Sequence, residues 1–425
     1  MAFVQDTPKE SFRLSMLIYD TRYRSITIQV IVLILFLLFL SWLVNNTIQN
    51  LAAKDRTFDF GFLGARAGYD INQTLISYTN DSTHARAALI GVLNTLLSAV
   101  VGCTLATILG VFIGVLRLSK NWLVGRLMTV YVEVFRNVPV LLWILLAGTI
   151  LSETTPAPSA YRVTEAMQAA GEAPKASMIF DDSIALTNRG INMPAPMVDN
   201  GLGRLELGPI SMNANVLAFL IVLAAALWAN HLIRSHAKRV QEETGIRPTT
   251  WWKSIAVIVL PLLVLGWWLG FHLDYPRLTK FNFTGGMEVL HSFTALTVAL
   301  ALYTAAFIAE IVRAGIMAVA RGQSEAAFAL GLRPGRTMNL IILPQALRVI
   351  IPPLISQYLN LTKNTSLAIA VSYMDLRGTL GGITLNQTGK ELECMLLMMA
   401  IYLTISLIIS SVMNMFNRAV KLKER

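Results

Sequence analysis

Eight apolar segments dominate this chain, near residues 26–44, 88–117, 128–151, 213–233, 254–273, 288–319, 346–372 and 394–416. A helix needs about 20 mostly apolar residues to cross a bilayer, and each segment is long enough. In lipid every backbone N–H and C=O must find its partner within the protein, so segments of this kind cross as helices. The pattern predicts an all-α polytopic membrane protein with about 8 transmembrane helices. Charged residues make up only 14% of the 425, well below the roughly 25% of soluble domains. The first run, 26–44, is longer than a signal-peptide core and lacks a small-residue cleavage site, so it is expected to stay as a helix.

The net charge of +10 is placed by the topology. Arg13, Arg22 and Arg24 precede the first segment, and Arg117, Lys120 and Arg126 follow the second. Arg234, Lys238, Arg239, Arg247 and Lys253 lie between the fourth and fifth, and Arg321, Arg333 and Arg336 follow the sixth. Arg418, Lys421, Lys423 and Arg425 close the chain. With eight crossings all of these fall on one side, which the positive-inside rule makes cytoplasmic. Both termini are then cytoplasmic, and nucleic acid is not needed to explain the charge. The opposite side receives two long stretches, 45–87 and 152–212, the second rich in Pro, Gly, Asp and Asn. Each reads either as a loose connector or as a cap for a soluble binding protein.

Other chemistry finds little support. Cys103 and Cys394 form no C-x-x-C or Cys/His cluster. His84, His231, His236, His272 and His291 show no metal-ligand spacing, and G-x-S-x-G is missing. No G-x-x-x-x-G-K-[ST] occurs, so the chain has no phosphate cradle of that kind. Gly110 and Gly114 make a G-x-x-x-G, a close-packing signature of membrane helices. Trp42, Trp251, Trp252, Trp267 and Trp268 sit near predicted span ends, where interfacial belts account for them.

Three groups of residues stand out. In the basic loop after the sixth segment, Glu325, Ala326 and Ala327 precede Gly331, and nine residues later come Ile341, Leu343 and Pro344. A short helix over 322–330 would offer Ala326, Ala327 and Leu330 to a groove. Glu325 would lie near its start, where the helix dipole favours a carboxylate. Gly331 would turn the backbone with positive φ, and Pro344 would stop or redirect the chain into the next span. Secondly, Glu133 and Arg136, and Glu310 and Arg313, are ionisable pairs spaced i,i+3 inside spans. We read them as ion pairs of gate or helix-packing architecture rather than as ligand contacts. Thirdly, NLTKNTS (360–366) places Asn360, Lys363, Asn364, Thr365 and Ser366 deep in the seventh span. Pro352 and Pro353 are expected to break the helix ahead of it, as in transporter substrate sites. Lys363 either attracts a substrate carboxylate or pairs with Glu310 or a partner's carboxylate.

The spacing E-A-A-x-x-x-G-x9-I-x-L-P resembles the loop by which permease subunits of bacterial ABC importers grip their ATPase. Residues 91–119, YVEVFRNVPVLLWILL (131–146), YTAAFIAEIVRAGI (303–316) and LRVIIPPLISQYLNLTKNTSLAIAV (347–371) are similar to the polar amino-acid branch of that family. The resemblance implies a five-helix type I importer core in two parts, 88–151 and 288–417, with the coupling loop at 321–345. Residues 1–87 and 152–287 would be additions and 418–425 a cytoplasmic tail. Those additions make the chain look like the larger permease of general L-amino-acid (glutamate, glutamine, aspartate and asparagine) transporters. The implied partners are an ATP-binding subunit dimer carrying ATP and Mg, a second related permease, a periplasmic amino-acid-binding protein and membrane lipid, in a bacterial inner membrane. The chain itself would be a transport subunit, not an enzyme, with no bound cofactor. Many relatives for basic amino acids carry Asp where this chain has Asn364, so neutral or acidic substrates are expected. An ion- or proton-coupled secondary transporter is the alternative, and would give the coupling loop no role.

Overall fold

A computed structural model of the chain describes residues 16–53, 58–163, 173–207, 210–246, 248–280 and 282–420. Arg13, Arg247, Lys421, Lys423 and Arg425 of the charge pattern, and parts of the 152–212 stretch, lie outside the described residues. The chain divides into two compact units, Met1–Phe62 and Leu63–Arg425. The first holds α1, Thr21–Ala52, an apolar helix with none of its spanning window buried. A helix hydrophobic on every side suits lipid contact all round.

The second unit contains nine longer helices. They are α2 (His84–Leu116), α3 (Trp122–Asn137), α4 (Val140–Thr154), α5 (Ala214–Thr244), α6 (Trp251–Trp268), α7 (His291–Met317), α8 (Arg321–Ala329), α9 (Leu343–Asn364) and α10 (Glu391–Val420). Eight helices among the described residues are long and apolar enough to cross a membrane, which matches the sequence expectation in number. α7 is the centre, with 67% of its spanning window buried against at most 33% for any other. It packs on α2, α3, α4 and α9. Leu296, Leu300 and Ile308 of α7 form one fully buried cluster with Ala106, Ile144 and Leu361.

Close approach makes that centre possible. A Cβ added at Gly110 would come within 2.6 Å of Ile308 Cβ, and one at Gly114 within 2.7 Å of the Ala309 carbonyl oxygen. The G-x-x-x-G pattern thus lets α2 lie directly on α7. α5 and α6 pack on each other.

Two expectations about the spans need correction. The third crossing is not 128–151, because the chain breaks at Val138–Pro139. Val138 is extended (φ −99°, ψ 133°), as a residue before proline tends to be. α3, carrying Arg126, Glu133 and Arg136, is a separate amphipathic helix, and the span runs Val140–Tyr161. In the seventh span, Pro344 stops nothing. It sits in the first turn of α9 directly after a π-helical turn, Met338–Ile342, where the hydrogen-bond register is already changing. Pro352 and Pro353 lie inside a continuous helix. Their fixed φ is compatible with helical backbone, and each removes one backbone donor without ending the helix. The α-helix ends only at Asn364, where a 3₁₀ segment, Thr365–Val371, begins.

The 152–212 stretch is not merely a connector. Gly190–Met193 pairs antiparallel with Met287–Leu290, and Ala195–Val198 with Phe271–Asp274. The insertion is thereby stitched to the segment that leads into α7. Replacing Gly110 by Val should push α2 off α7 and destabilise the protein by about 1–3 kcal/mol. A thermal-unfolding midpoint in detergent equal to wild type would show that the close contact does not matter.

Candidate functional site

The loop after α7 forms the helix expected from sequence, with its start displaced. α8 runs Arg321–Ala329, so Glu325 is its fifth residue and not in the first turn. The dipole argument for Glu325 therefore fails. The helix ends as foreseen, with Gly331 at φ +75°. Its N–H donates to the Phe328 carbonyl (2.9 Å) and the Leu332 N–H to that of Ala327 (3.1 Å), the paired bonds of a Schellman turn. Ala327 is 1% exposed, so it is not available to a partner; Ala326 is exposed. Phe328, Leu330, Leu340 and Leu343 are also exposed, Leu330 to 81%. The loop thus presents large apolar side chains among Arg321, Arg333 and Arg336, with no covering element among the described residues.

The two ionic pairs behave differently. Glu310 and Arg313 meet at 2.5 Å, and the same carboxylate also takes the Arg117 guanidinium from the C-cap of α2. Arg117 had been read only as a loop charge; its partner was hidden because it lies 193 positions away. Glu133 and Arg136 form no ion pair among the described residues. The Arg136 guanidinium instead lies 5.3 Å from the Phe307 ring centroid, and Glu133 accepts from the Asn137 amide. Aromatic contact anchors α3, with Phe135 stacked on Trp143 at 4.2 Å and the Tyr131 hydroxyl donating to the Leu302 carbonyl.

At the other end of these helices lies the 360–366 group. Lys363 falls on the last turn of α9, within the spanning segment Pro334–Val371. It does not pair with Glu310, whose carboxylate is held by Arg117 and Arg313. Asn360 and Lys363 are exposed and Thr365 is buried. The Thr365 and Ser366 hydroxyls donate to the carbonyls of Thr362 and Lys363. Lys363 and Ser366 line a pocket with Arg377, Met398 and Tyr402.

Sequence reading missed the segment that completes this region. After Ser372 (φ +58°) the chain makes short helical turns over 376–388 before α10. Asp375 is fully buried there, its carboxylate accepting from the Gly378 N–H (2.8 Å) and the Tyr402 hydroxyl (3.2 Å). The Asn94 amide donates to the Met374 carbonyl, and the Leu376 N–H donates to Thr95 Oγ1, fixing the segment to α2. The available signal was M-D-L-R-G, two charges and glycines between two apolar runs.

The family profile described as binding-protein-dependent transport system inner membrane component matches residues 106–422. Over 428 aligned residues the chain is 68% identical to the glutamate/glutamine/aspartate/asparagine transport system permease protein BztB of Rhodobacter capsulatus, covering 100% of each. It is 45% identical to the general L-amino acid transport system permease protein AapQ of Rhizobium johnstonii, over 98% of this chain and 96% of that one. It is 40% identical to the putative amino-acid ABC transporter permease protein YhdX of Escherichia coli, over 93% and 94%.

Burial pushes the Asp375 carboxyl up to about 7, while the bonds from Gly378 and Tyr402 pull the other way. The folded chain therefore keeps a proton that the unfolded chain has already lost, and stability falls as pH rises from about 4 to about 7. The melting temperature in detergent should drop between about pH 4 and about pH 7, and Asp375→Asn should flatten that drop. An undiminished slope in the variant would assign the dependence to another group.

Proposed function

The chain belongs to the family of binding-protein-dependent transport system inner membrane components, and from that premise we propose that it imports L-amino acids as one permease subunit of an ATP-driven ABC transporter. In this reading α2, α4, α7, α9 and α10, with α3 lying beside them, form the translocating half within 88–151 and 288–417. The sequences before 88 and at 152–287 are additions to it. The arginine-bearing loops and both termini face the cytoplasm of a bacterial cell, and the strand-paired insertion faces the periplasm. A dimeric ATPase carries ATP and Mg, a second related permease completes the pathway, and a periplasmic binding protein delivers the amino acid.

The observation that carries the reading is the α8 loop. A Schellman turn at Gly331 fixes the end of a short helix whose exposed side chains, Phe328 and Leu330, have no cover among the described residues. Exposed apolar groups on a rigid cytoplasmic element suit a groove on a partner that moves when ATP is hydrolysed. A secondary transporter has no use for such an element. The relatives named for glutamate, glutamine, aspartate and asparagine, together with Asn364 in place of a carboxylate, support neutral and acidic substrates.

The test is uptake of labelled glutamate, glutamine, aspartate and asparagine into proteoliposomes holding the chain with its co-purified partners. Uptake should require ATP and binding protein. Gly331→Asp, which forces a side chain into positive φ at a strain of about 1–2 kcal/mol, should misdirect the loop and lower uptake at least about tenfold. Excess arginine or lysine should compete weakly. Uptake indifferent to both ATP and Gly331 would sink the reading and favour an ion-coupled carrier.

A further inference from the structure

The pocket at the seam of α9, the 376–378 turn and α10 contains two cations. Lys363 and Arg377 line a cavity of 340 Å³ with Ser366, Met398 and Tyr402, a volume within the usual range for small-molecule sites. Neither cation has a carboxylate within salt-bridge distance among the described residues. Among the described residues the Arg377 guanidinium hydrogen-bonds the Gly381 carbonyl at 3.5 Å and the Met395 sulfur at 4.0 Å. Asp375 is buried, its carboxylate accepts from the Gly378 N–H and the Tyr402 hydroxyl, and it attracts Arg377 without an ion-pair contact. Cations without a direct ion-pair partner beside a membrane span mark pathways or ligand sites.

We propose that Lys363 and Arg377 form a carboxylate-binding station that favours acidic amino acids over their amides. This rests on the permease reading above. A zwitterion such as glutamine brings no net charge, and the pocket offers its ammonium no carboxylate. Glutamate brings one net negative charge to two cations, with the Ser366 and Tyr402 hydroxyls beside them. Arg377 supplies the planar fork that suits a carboxylate, and Lys363 a mobile point charge. The preference arises because the side-chain carboxylate, which glutamine replaces by a neutral amide, docks on the two cations.

The experiment compares kcat/KM for ATP-dependent uptake of glutamate and glutamine by the reconstituted complex, wild type against Lys363→Gln, Arg377→Gln and Arg377→Lys. Each glutamine variant should lose about tenfold for glutamate and remain within about twofold for its amide, while Arg377→Lys should keep most of the preference. Among the described residues the exposed Lys363 makes no hydrogen bond through its ammonium, so its variant will fold even if Arg377→Gln does not. Equal losses for both substrates, or an unchanged ratio, would overturn the proposal. So would an unchanged ratio with activity that follows phosphatidylglycerol content, because the cations would then hold a lipid phosphate. If wild type takes up neither substrate with ATP, the permease reading itself has failed, and that result is distinct from a changed ratio.

Discussion

Everything in the second unit is arranged around the contact of α2 with α7. Between helices in lipid no hydrophobic force operates, because the tails are as apolar as leucine, and association depends on close packing and polar links. Gly110 and Gly114 supply the closeness, with Ala305, Ala309 and Ile308 facing them. Polar links then secure α2 at each end. Glu310 joins the C-cap arginine of α2 to Arg313 of α7. Far along the same helix, Asn94 and Thr95 bind the backbone at Met374 and Leu376, so α2 aligns both α7 and the segment after α9. A buried ion pair is weak grounds for net stability, since desolvation opposes it. The role of Glu310 is better described as fixing the register of two helices whose apolar faces would tolerate sliding.

What the sequence made legible follows from which signals are local. The spans are readable because lipid leaves only one backbone solution, and Gly331 because a left-handed helix end favours glycine. Leu330 is readable as the neighbour of that helix end, whereas Ala327 is buried and the exposed Phe328 was not foreseen. Partnerships are not local. Glu310 and Arg313 were paired from spacing, yet Arg117 joined them from another helix. Glu133 and Arg136 have the same spacing and do not pair, because Phe307 of α7 offers the guanidinium an aromatic face. Prolines misled in the opposite direction: Pro352 and Pro353 look like a break, but their φ suits the helix they occupy. Asp375 and Arg377 were passed over because a short stretch between two spans looked like a turn, and nothing in its composition reveals that it is buried against Asn94 and Thr95.

Among the described residues the strands between α4 and α5 contribute nothing to the buried cluster of the helices. They pair with residues 271–274 and 287–290, so one link stays beside α6 and the other reaches the segment that leads into α7. α5 and α6 pack chiefly on each other. The buried cluster draws on α2, α4, α7 and α9, and none of its fully buried members comes from 152–287.

The 3₁₀ segment Thr365–Val371 alters the geometry of the chain that follows Lys363. A 3₁₀ helix rises about 2.0 Å per residue where an α-helix rises about 1.5 Å. Seven residues therefore reach some 3.5 Å farther than the same stretch coiled as α, at the expense of poorer hydrogen bonds. Its threefold repeat also sets residues three apart in one line, and it carries Ser366 of the pocket wall. The segment is thus a length of chain held in an extended setting, and tightening or relaxing it by one turn would translate and rotate that wall together.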